Sequence, residues 1–224
     1  MKNQIELEGV EKVYNTNGLP VKALTNVSLS FSSGEFSVLA GPSGSGKSTL
    51  LHLIGALDRP SAGTVRVGGN DLSMMSAKEL AGFRLRKIGF VFQAYNLIPV
   101  LTGFENVEFT LLLQGVKEKE RTDRALNLLE KVGLLDQKDK RPTEMSGGQQ
   151  QRVAVARALA SQPEIVLADE PTANLDSKTG AQLIDLFLKL NEEFKVTFLF
   201  ASHDPMVIER ARRVVRLKDG CVES

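Results

Sequence analysis

The sequence predicts an α/β fold with a mostly parallel central sheet, an antiparallel β region near the N-terminus and an inserted helical subdomain. Alternating apolar segments, typical of half-buried antiparallel strands, occur at Ile5/Leu7, Val27/Leu29/Phe31 and Val65/Val67. Compact apolar runs followed by polar or Gly-rich residues, typical of buried parallel strands, are Phe36–Ala40, Glu164–Ala168 and Thr197–Ala201. The stretch from about Ala94 to Ala160 has strong helical and weak strand signals, which predicts a helical subdomain inserted between central strands.

Two apolar stripes at helical spacing are predicted to face the core. The first is Ala125, Leu126, Leu129 and Val132, ending at Gly133, and the second is Leu183, Ile184, Phe187 and Leu190. The charged run Lys117–Arg121 is expected to be a solvated turn and helix start.

Composition excludes several classes of site. The 224 residues suffice for one substantial domain, and 28 Lys and Arg residues against 27 Asp and Glu give no global positive field for nucleic acid. Cys221 is the only cysteine, which excludes an intramolecular disulfide and suits a reducing cytoplasm. Residues 1–10 resemble no signal peptide, and no run approaches the roughly 20 apolar residues of a membrane span, so a membrane role would require a partner.

The segment Gly41-Pro42-Ser43-Gly44-Ser45-Gly46-Lys47-Ser48 matches the phosphate-loop (P-loop) pattern and adds a P-loop NTPase core to the predicted fold. Glycines allow consecutive backbone N–H groups to turn toward phosphates, and the following helix, from Thr49, points its positive N-terminus at them. Lys47 would add a charge near the β and γ oxygens, and Ser48 would give a hydroxyl to magnesium. A plain Gly/Ser-rich turn is the alternative, but the eight positions and both flanks fit the motif.

A pair of acids, Asp169 and Glu170, ends the apolar run Ile165–Ala168, at the strand end where ligands bind in open α/β sheets. Asp169 suits the metal side, acting through water, and Glu170 suits activation of the water that attacks the γ-phosphate. An ordinary strand-to-turn junction is the alternative for this pair taken alone.

A second phosphate-ready helix start follows about a hundred residues after the P-loop. Ser146 and Gln149 have the capping-box spacing in Ser146-Gly147-Gly148-Gln149, before an apolar helix. A well-capped helix without a ligand is the alternative. A chain whose nucleotide is already held by its own P-loop needs a second anion site only if that site serves another chain.

From Tyr14 to Gly220 the sequence resembles the ATP-binding cassette (ABC) family, whose signature Leu-Ser-Gly-Gly-Gln appears as Met145–Gln149. The resemblance implies that Tyr14 stacks on adenine and that Gln93 links magnesium to the helical subdomain. It also implies that Asn174-Leu175-Asp176 signals between subunits and that His203 contacts the γ-phosphate. Alone, Tyr14 would fit a packed aromatic, Gln93 a surface amide and His203 a turn residue.

The resemblance further implies a head-to-tail dimer with ATP between the P-loop of one chain and the signature segment (Met145–Gln149) of the other. Expected ATP-binding residues are Tyr14, Gly41, Pro42, Ser43, Gly44, Ser45, Gly46, Lys47, Ser48, Thr49 and Gln93. Expected catalytic residues are Glu170, His203 and Lys47. Expected metal-side residues are Ser48, Gln93 and Asp169, and those facing the partner's ATP are Ser146, Gly147, Gly148, Gln149 and Asp176.

The finer pattern is similar to the branch of lipoprotein-releasing, macrolide-export and cell-division ATPases. The similar segments are Arg84–Gln93, Asn96–Pro99, Glu105–Val107 and Leu167–Ser177, with departures at Ala173 (usually Gly) and Ser202 (usually Thr). This implies one nucleotide-binding domain over residues 1–224, with a core of 1–93 and 161–224 and a helical signature subdomain of about 94–160. A membrane permease is expected to contact Gln93–Pro99 and hold the chain on the inner face of the cell membrane.

Three alternatives are less well matched. A DNA-repair or chromosome-organising ATPase of this family would carry a long coiled coil or zinc insertion between P-loop and signature, and none is present. A ribosome-acting cassette protein usually carries two cassettes. A small-molecule kinase would lack the signature segment. No nucleic-acid partner is therefore expected.

Overall fold

The computed structural model describes residues 3–16 and 19–223, and their strands form two sheets. An antiparallel sheet, in the order β2-β1-β4-β5, consists of β1 (Asn3–Thr16), β2 (Leu19–Ser32), β4 (Ala62–Val67) and β5 (Asn70–Asp71). A second sheet consists of β3 (Phe36–Ala40), β6 (Ile88–Phe92), β7 (Ile165–Asp169), β8 (Thr197–Ser202), β9 (Arg213–Lys218) and β10 (Cys221–Val222). Its order is β10-β9-β3-β8-β7-β6, parallel throughout except for the β9–β10 hairpin.

The helices of the described residues are α1 (Lys47–Ile54), α2 (Ala77–Lys87), α3 (Gly103–Leu113), α4 (Glu118–Lys131), α5 (Gly147–Ala160), α6 (Ser177–Phe194) and α7 (Pro205–Arg210). Short 3-10 helices lie at Leu72–Met74, Leu135–Gln137 and Pro142–Glu144.

The predicted antiparallel region is confirmed. Ile5 pairs with Val67 and Leu7 with Val65 across β1 and β4, and these four side chains are buried. Apolar residues occur at every second position because alternate side chains of a strand point to the same face of the sheet.

The predicted parallel strands are also confirmed, and their side chains build the core on both faces of the central sheet. All residues of β3 and β8 are buried. Phe198 and Phe200 pack with Phe187 of α6 on one face, whereas Leu199 joins the cluster containing Leu50 of α1 on the other. Burial on both faces explains why these strands read as continuous apolar runs.

The region 94–160 is helical in the described structure and is inserted between β6 and β7, which pair directly. The predicted stripe on α4 needs one correction: Leu128 is buried with Ala125 and Leu129, and Leu126 is only half-buried. Positions 128 and 129 lie three and four residues after Ala125 and so share its face, whereas position 126 is rotated by about 100°.

Two further details differ from expectation or extend it. Arg121, predicted in a solvated run, bonds through Nε to Glu108 Oε1 of α3 at 2.8 Å, and both side chains are largely buried. The later part of α5 packs on the central sheet, where the Ala158 carbonyl approaches Gly89 of β6.

The predicted domain, 1–224, includes residues 1, 2, 17, 18 and 224, which lie outside the described residues. Its predicted division at 94 and 160 stays a prediction.

Candidate active site

The P-loop connects the end of β3 to the start of α1, as the motif requires. Gly46 is the N-cap of α1 and has a φ of +100°, a left-handed conformation that favours glycine. A Cβ at Gly46 would lie 2.7 Å from the Ala23 carbonyl oxygen of β2, so a side chain is also excluded by contact. The loop therefore follows a path on which its backbone is available to a ligand.

Lys47 is folded back onto this loop. Its Nζ donates to the carbonyl oxygens of Gly41 (2.8 Å) and Pro42 (2.9 Å) and lies 3.9 Å from Glu170 Oε1. The side chain is only 6% exposed, so its charge is satisfied by loop carbonyls and a nearby carboxylate. The Lys47 ammonium is therefore held beside the P-loop backbone.

Ser48 and Asp169 join the P-loop helix to the end of β7. Ser48 Oγ donates to Asp169 Oδ1 at 2.9 Å. Burial raises the pKa of the Asp169 carboxyl, and the hydrogen bond from Ser48 opposes part of the rise. No cluster of three or more His, Cys, Asp or Glu side chains suited to a metal occurs among residues 3–16 and 19–223.

Glu170 follows in a strained backbone conformation. Its φ is +44°, a left-handed value that costs a non-glycine residue about 1–3 kcal/mol. Its amide donates to the Ala201 carbonyl at 2.9 Å, which ties this turn to β8. Oε1 lies 2.8 Å from His203 Nδ1, and Oε2 accepts from Ser202 Oγ at 3.2 Å.

Of these groups, Lys47, Ser48, Glu170 and His203 line one cavity of about 370 Å³, and Asp169 lies outside its lining. Its lining is Ala23, Ser43, Gly44, Gly46, Lys47, Ser48, Thr49, Gln93, Glu170, Ala173 and His203. Strands far apart in the sequence thus bring the predicted P-loop, Gln93, Glu170 and His203 together. Ala23 was not predicted, because nothing in its local sequence distinguishes it from other residues of β2.

A larger surface concavity of about 680 Å³ runs along α2, from Met75 to Lys87. It contains none of the predicted P-loop, acidic or signature residues. The convergence of chemically suited groups, rather than volume, therefore selects the smaller cavity.

Gln93 stands on a loop that is held from several directions. Its carbonyl accepts from Asn174 Nδ2 at 3.0 Å, and the Phe92 carbonyl accepts from Gln151 Nε2 of α5 at 3.3 Å. Arg157, also of α5, donates to the Tyr95 carbonyl at 2.9 Å. The helix that begins with the signature segment thus contacts the loop that carries Gln93.

Tyr14 lies outside the residues that line the cavity. Its hydroxyl donates to Asp58 Oδ2 at 2.9 Å, and Lys12 Nζ lies 4.8 Å from the ring centroid. Burial, with the hydrogen bond to Asp58, raises the pKa of the Tyr14 phenol. The structure therefore gives Tyr14 an intrachain role at the strand end.

The signature segment has the predicted capping box. Ser146 Oγ accepts from the Gln149 amide at 3.3 Å, and Gln149 Oε1 accepts from the Ser146 amide at 2.9 Å. Gly148 also has a packing reason, because a Cβ there would lie 2.5 Å from Cγ2 of Thr179. None of these residues lines the P-loop cavity of the same chain.

Asp176 is the N-cap of α6. Its Oδ1 accepts from the amides of Lys178 and Thr179, both at 3.0 Å, and Oδ2 accepts from Thr179 Oγ1 at 2.6 Å. The hydrogen bond from the Thr179 side chain lowers the pKa of this carboxyl most. Like the signature segment, Asp176 is absent from the lining of its own chain's cavity.

Comparison with known proteins identifies the family. Residues 24–173 match the family described as ABC transporter. The chain belongs to the ABC transporter family. An uncharacterised ABC transporter ATP-binding protein of Thermotoga maritima is 51% identical over 223 residues, covering 100% of this chain and 95% of that protein.

Two further ABC relatives bear on architecture and activity. A macrolide export ATP-binding/permease protein, MacB, of Syntrophobacter fumaroxidans is 45% identical over 98% of this chain, which spans only 31% of that protein. The dimeric structure of a post-hydrolysis state of the ATP-binding cassette MJ0796, bound to ADP and Pi, has a TM-score of 0.90 at 46% identity. The match covers 98% of this chain and 97% of that one, and it confirms the predicted fold.

The ABC assignment makes this chain an ATP-binding ATPase cassette, and these relatives give no support to a nucleic-acid or ribosomal role. Within residues 3–16 and 19–223, no helix has the length and apolar character needed to cross a membrane.

Proposed function

We propose that the chain hydrolyses ATP as the motor subunit of an ABC transporter and works in a head-to-tail dimer on a separate membrane permease. The observation that carries this is the separation of two phosphate-ready segments. The P-loop meets Glu170 and His203 in one cavity, while the signature segment of the same chain lies outside it. A second chain would then complete each site.

Within the cavity, Glu170 is the proposed general base for the attacking water. Its carboxylate already contacts His203 and Ser202, which fixes its orientation. Lys47 would exchange its loop carbonyls for β and γ phosphate oxygens, and His203, with a side chain 66% exposed, would reach the γ-phosphate. Backbone N–H groups within residues 43–49 would hold the phosphates.

The donor set fits magnesium. Ser48 Oγ and Asp169 Oδ1 are hard oxygen donors 2.9 Å apart, and Mg²⁺ is usually held by one or two such groups plus substrate phosphates and water. Ser48 would be a direct ligand, Asp169 would act through water, and Gln93 would approach from the neighbouring strand. Bound there, the ion would neutralise charge on the phosphates.

Adenine is proposed to stack on Tyr14. Lys12 occupies a position over the ring at 4.8 Å, and the bond to Asp58 fixes the ring at the strand end. The base would then use the ring face that Lys12 leaves available.

The proposed partner surface for ATP consists of the signature segment and Asp176. Ser146 and Gly148 stand at the N-terminus of α5, where unpaired amides and the helix dipole favour an anion. Such a site would receive the γ-phosphate of ATP bound to the other chain. The MJ0796 cassette, similar over nearly its whole length, is described as dimeric, which supports this arrangement.

A permease is proposed to dock beside Gln93–Pro99. A groove of about 260 Å³ there is lined by Asn96, Ser161 and residues of α2, β6, α3 and α5, including Phe90 and Thr110. On α3, Phe109, Leu112 and Leu113 are exposed, an apolar stripe suited to a protein contact. Docking would hold the chain on the inner face of the cell membrane, for export, lipoprotein extraction or mechanotransmission.

Phosphate release by the purified chain tests the enzymatic part of the proposal. We expect magnesium-dependent release from ATP that is lost in Glu170→Gln, and equal release by both proteins would contradict it. For the partner, Ala94→Cys in a Cys221→Ser background should crosslink to an integral membrane protein in native membranes. Crosslinks to ribosomal proteins or nucleic acid instead would contradict the transport role.

A further inference from the structure

A two-residue turn joins β9 to β10 and contacts the P-loop. Asp219 and Gly220 have φ values of +48° and +77°, and Lys218 pairs with Cys221 across the turn. Two consecutive left-handed residues form the tight turn that matches strand twist, and Asp-Gly is among its preferred sequences. The turn is thus well defined by its own sequence.

Two backbone hydrogen bonds fix the position of this turn. The Gly220 amide donates to the Ser45 carbonyl of the P-loop at 3.1 Å, and the Gly220 carbonyl accepts from the Thr25 amide of β2 at 2.9 Å. One glycine residue therefore links the C-terminal hairpin, the antiparallel sheet and the phosphate loop.

The bond to Ser45 has a consequence for the next amide of the P-loop. In a trans peptide the C=O and N–H groups point in opposite directions, and the described residues contain no cis peptide. Because the Ser45 C=O is held toward Gly220, the N–H of Gly46 in the same peptide is turned the other way. Gly46 lines the proposed nucleotide cavity, where an amide that faces away from Gly220 would be available to a phosphate.

No side chain fits at position 220 without moving the turn. A Cβ on Gly220 would lie 2.8 Å from the carbonyl oxygen of Ala23 and 3.1 Å from its carbonyl carbon. These are backbone atoms of a sheet and cannot rotate aside. Relief of the contact would shift the turn and weaken its bond to Ser45.

We propose that Gly220 is a positioning residue for nucleotide binding, acting through the Ser45–Gly46 peptide. This inference rests on the proposed use of the P-loop to hold ATP. The C-terminal hairpin would thus act on the nucleotide cavity, although no residue of β9, β10 or their turn lines that cavity.

Gly220→Ala tests the proposal against Gly115→Ala. Both glycines have a φ of +77°, but a Cβ at Gly115 meets nothing within 4 Å, so the control matches the backbone strain without the collision. Binding of ADP, which fills the P-loop without the γ-phosphate, is measured by calorimetry. We expect Gly115→Ala to bind as wild type and Gly220→Ala to bind about tenfold more weakly, as for loss of one amide–phosphate hydrogen bond.

Steady-state ATPase separates positioning from simple loss of folded protein. A weakened phosphate contact is expected to raise KM while kcat is retained, whereas partial unfolding would lower kcat at unchanged KM. ADP affinity equal to that of Gly115→Ala, or a lower kcat alone, would overturn the inference. Failure of the wild type to bind ADP would instead count against the proposed function.

Hydrogen–deuterium exchange on the wild type gives a test that needs no variant. Coupling between sites is reciprocal, so ADP bound at the P-loop should slow amide exchange in residues 217–223. Unchanged exchange there, with clear protection in residues 41–49, would overturn the inference.

Discussion

Oε1 of Glu170 lies 2.8 Å from Nδ1 of His203, and the two residues directly follow the neighbouring parallel strands β7 and β8. The same carboxylate accepts from Ser202 through its other oxygen, and Lys47 Nζ lies 3.9 Å away. A carboxylate with both oxygens engaged cannot rotate freely. The left-handed backbone of Glu170 adds a local cost in free energy, which the rest of the fold must offset. This order before nucleotide arrives agrees with a preorganised general base.

Glu170→Gln should lower kcat for ATP hydrolysis by about 10²–10⁴-fold, the usual contribution of a general base. Glutamine keeps the shape and the contact with Ser202 but cannot take a proton. ATP affinity should stay near the wild-type value, because Glu170 is not proposed to hold the phosphates. A phosphate-release assay at saturating ATP measures the effect, and wild-type turnover would contradict the assigned role.

Lys47→Ala should weaken ATP binding by at least about tenfold, since a charge-assisted contact to phosphate is removed. Titration with a fluorescent ATP analogue measures this directly. Lys119→Ala, at an exposed position of α4, is the control and should bind normally. Unchanged affinity for the ATP analogue in folded Lys47→Ala would contradict the assignment of Lys47 to the phosphate site.

Asp169→Asn should raise the melting temperature of the nucleotide-free protein at neutral pH. Burial raises the folded-state pKa of Asp169, so the unfolded chain loses this proton first as pH rises. Stability is therefore lost between the ordinary carboxyl pKa of 3.8 and the higher folded value, and the neutral amide avoids that loss. A melting temperature of Asp169→Asn below that of the wild type at pH 7 would contradict this prediction. Asp169→Asn should also need a higher magnesium concentration for ATP hydrolysis.

Phe187→Ala should lower the free energy of unfolding by about 3–5 kcal/mol, as for other buried aromatic truncations. Its ring is fully buried and lies 5.1 Å from that of Phe200. Phe194→Ala, on the same helix but 41% exposed, is the matched control and should cost about 1 kcal/mol or less. Urea denaturation compares them, and equal losses would mean that the core is misassigned.

Patterns local in sequence predicted much of this molecule. The P-loop, the acids at the end of β7 and the capping box at Ser146 each depend on a few adjacent residues, and the structure has those local geometries. Among the strands of the described residues, β5, β6, β9 and β10 were not predicted. In β6, Gly89 interrupts the apolar run because the Ala158 carbonyl leaves no room for a Cβ. In β9, Arg213, Arg216 and Lys218 alternate with the buried positions of an outer strand.

Contacts between distant segments were beyond such patterns. The sequence gives no sign that Asp58 binds Tyr14 or that Asn174 binds the carbonyl of Gln93. Gly148 also packs against Thr179, a tertiary contact that requires glycine at this position. The sequence motif accounts for this glycine only through ATP binding. The adenine and partner-facing assignments therefore stay predictions that need a nucleotide and a second chain.

The dimer of two incomplete sites is the central claim, and light scattering after size exclusion tests it most directly. Glu170→Gln with ATP should elute with twice the mass of one chain, because ATP binds but is not hydrolysed. Adding Ser146→Arg should leave ATP binding intact and return the protein to a single chain, since a bulky cation would block the helix start that receives the partner's γ-phosphate. A Glu170→Gln protein that stays monomeric at saturating ATP, or a double variant that dimerises equally well, would contradict the account.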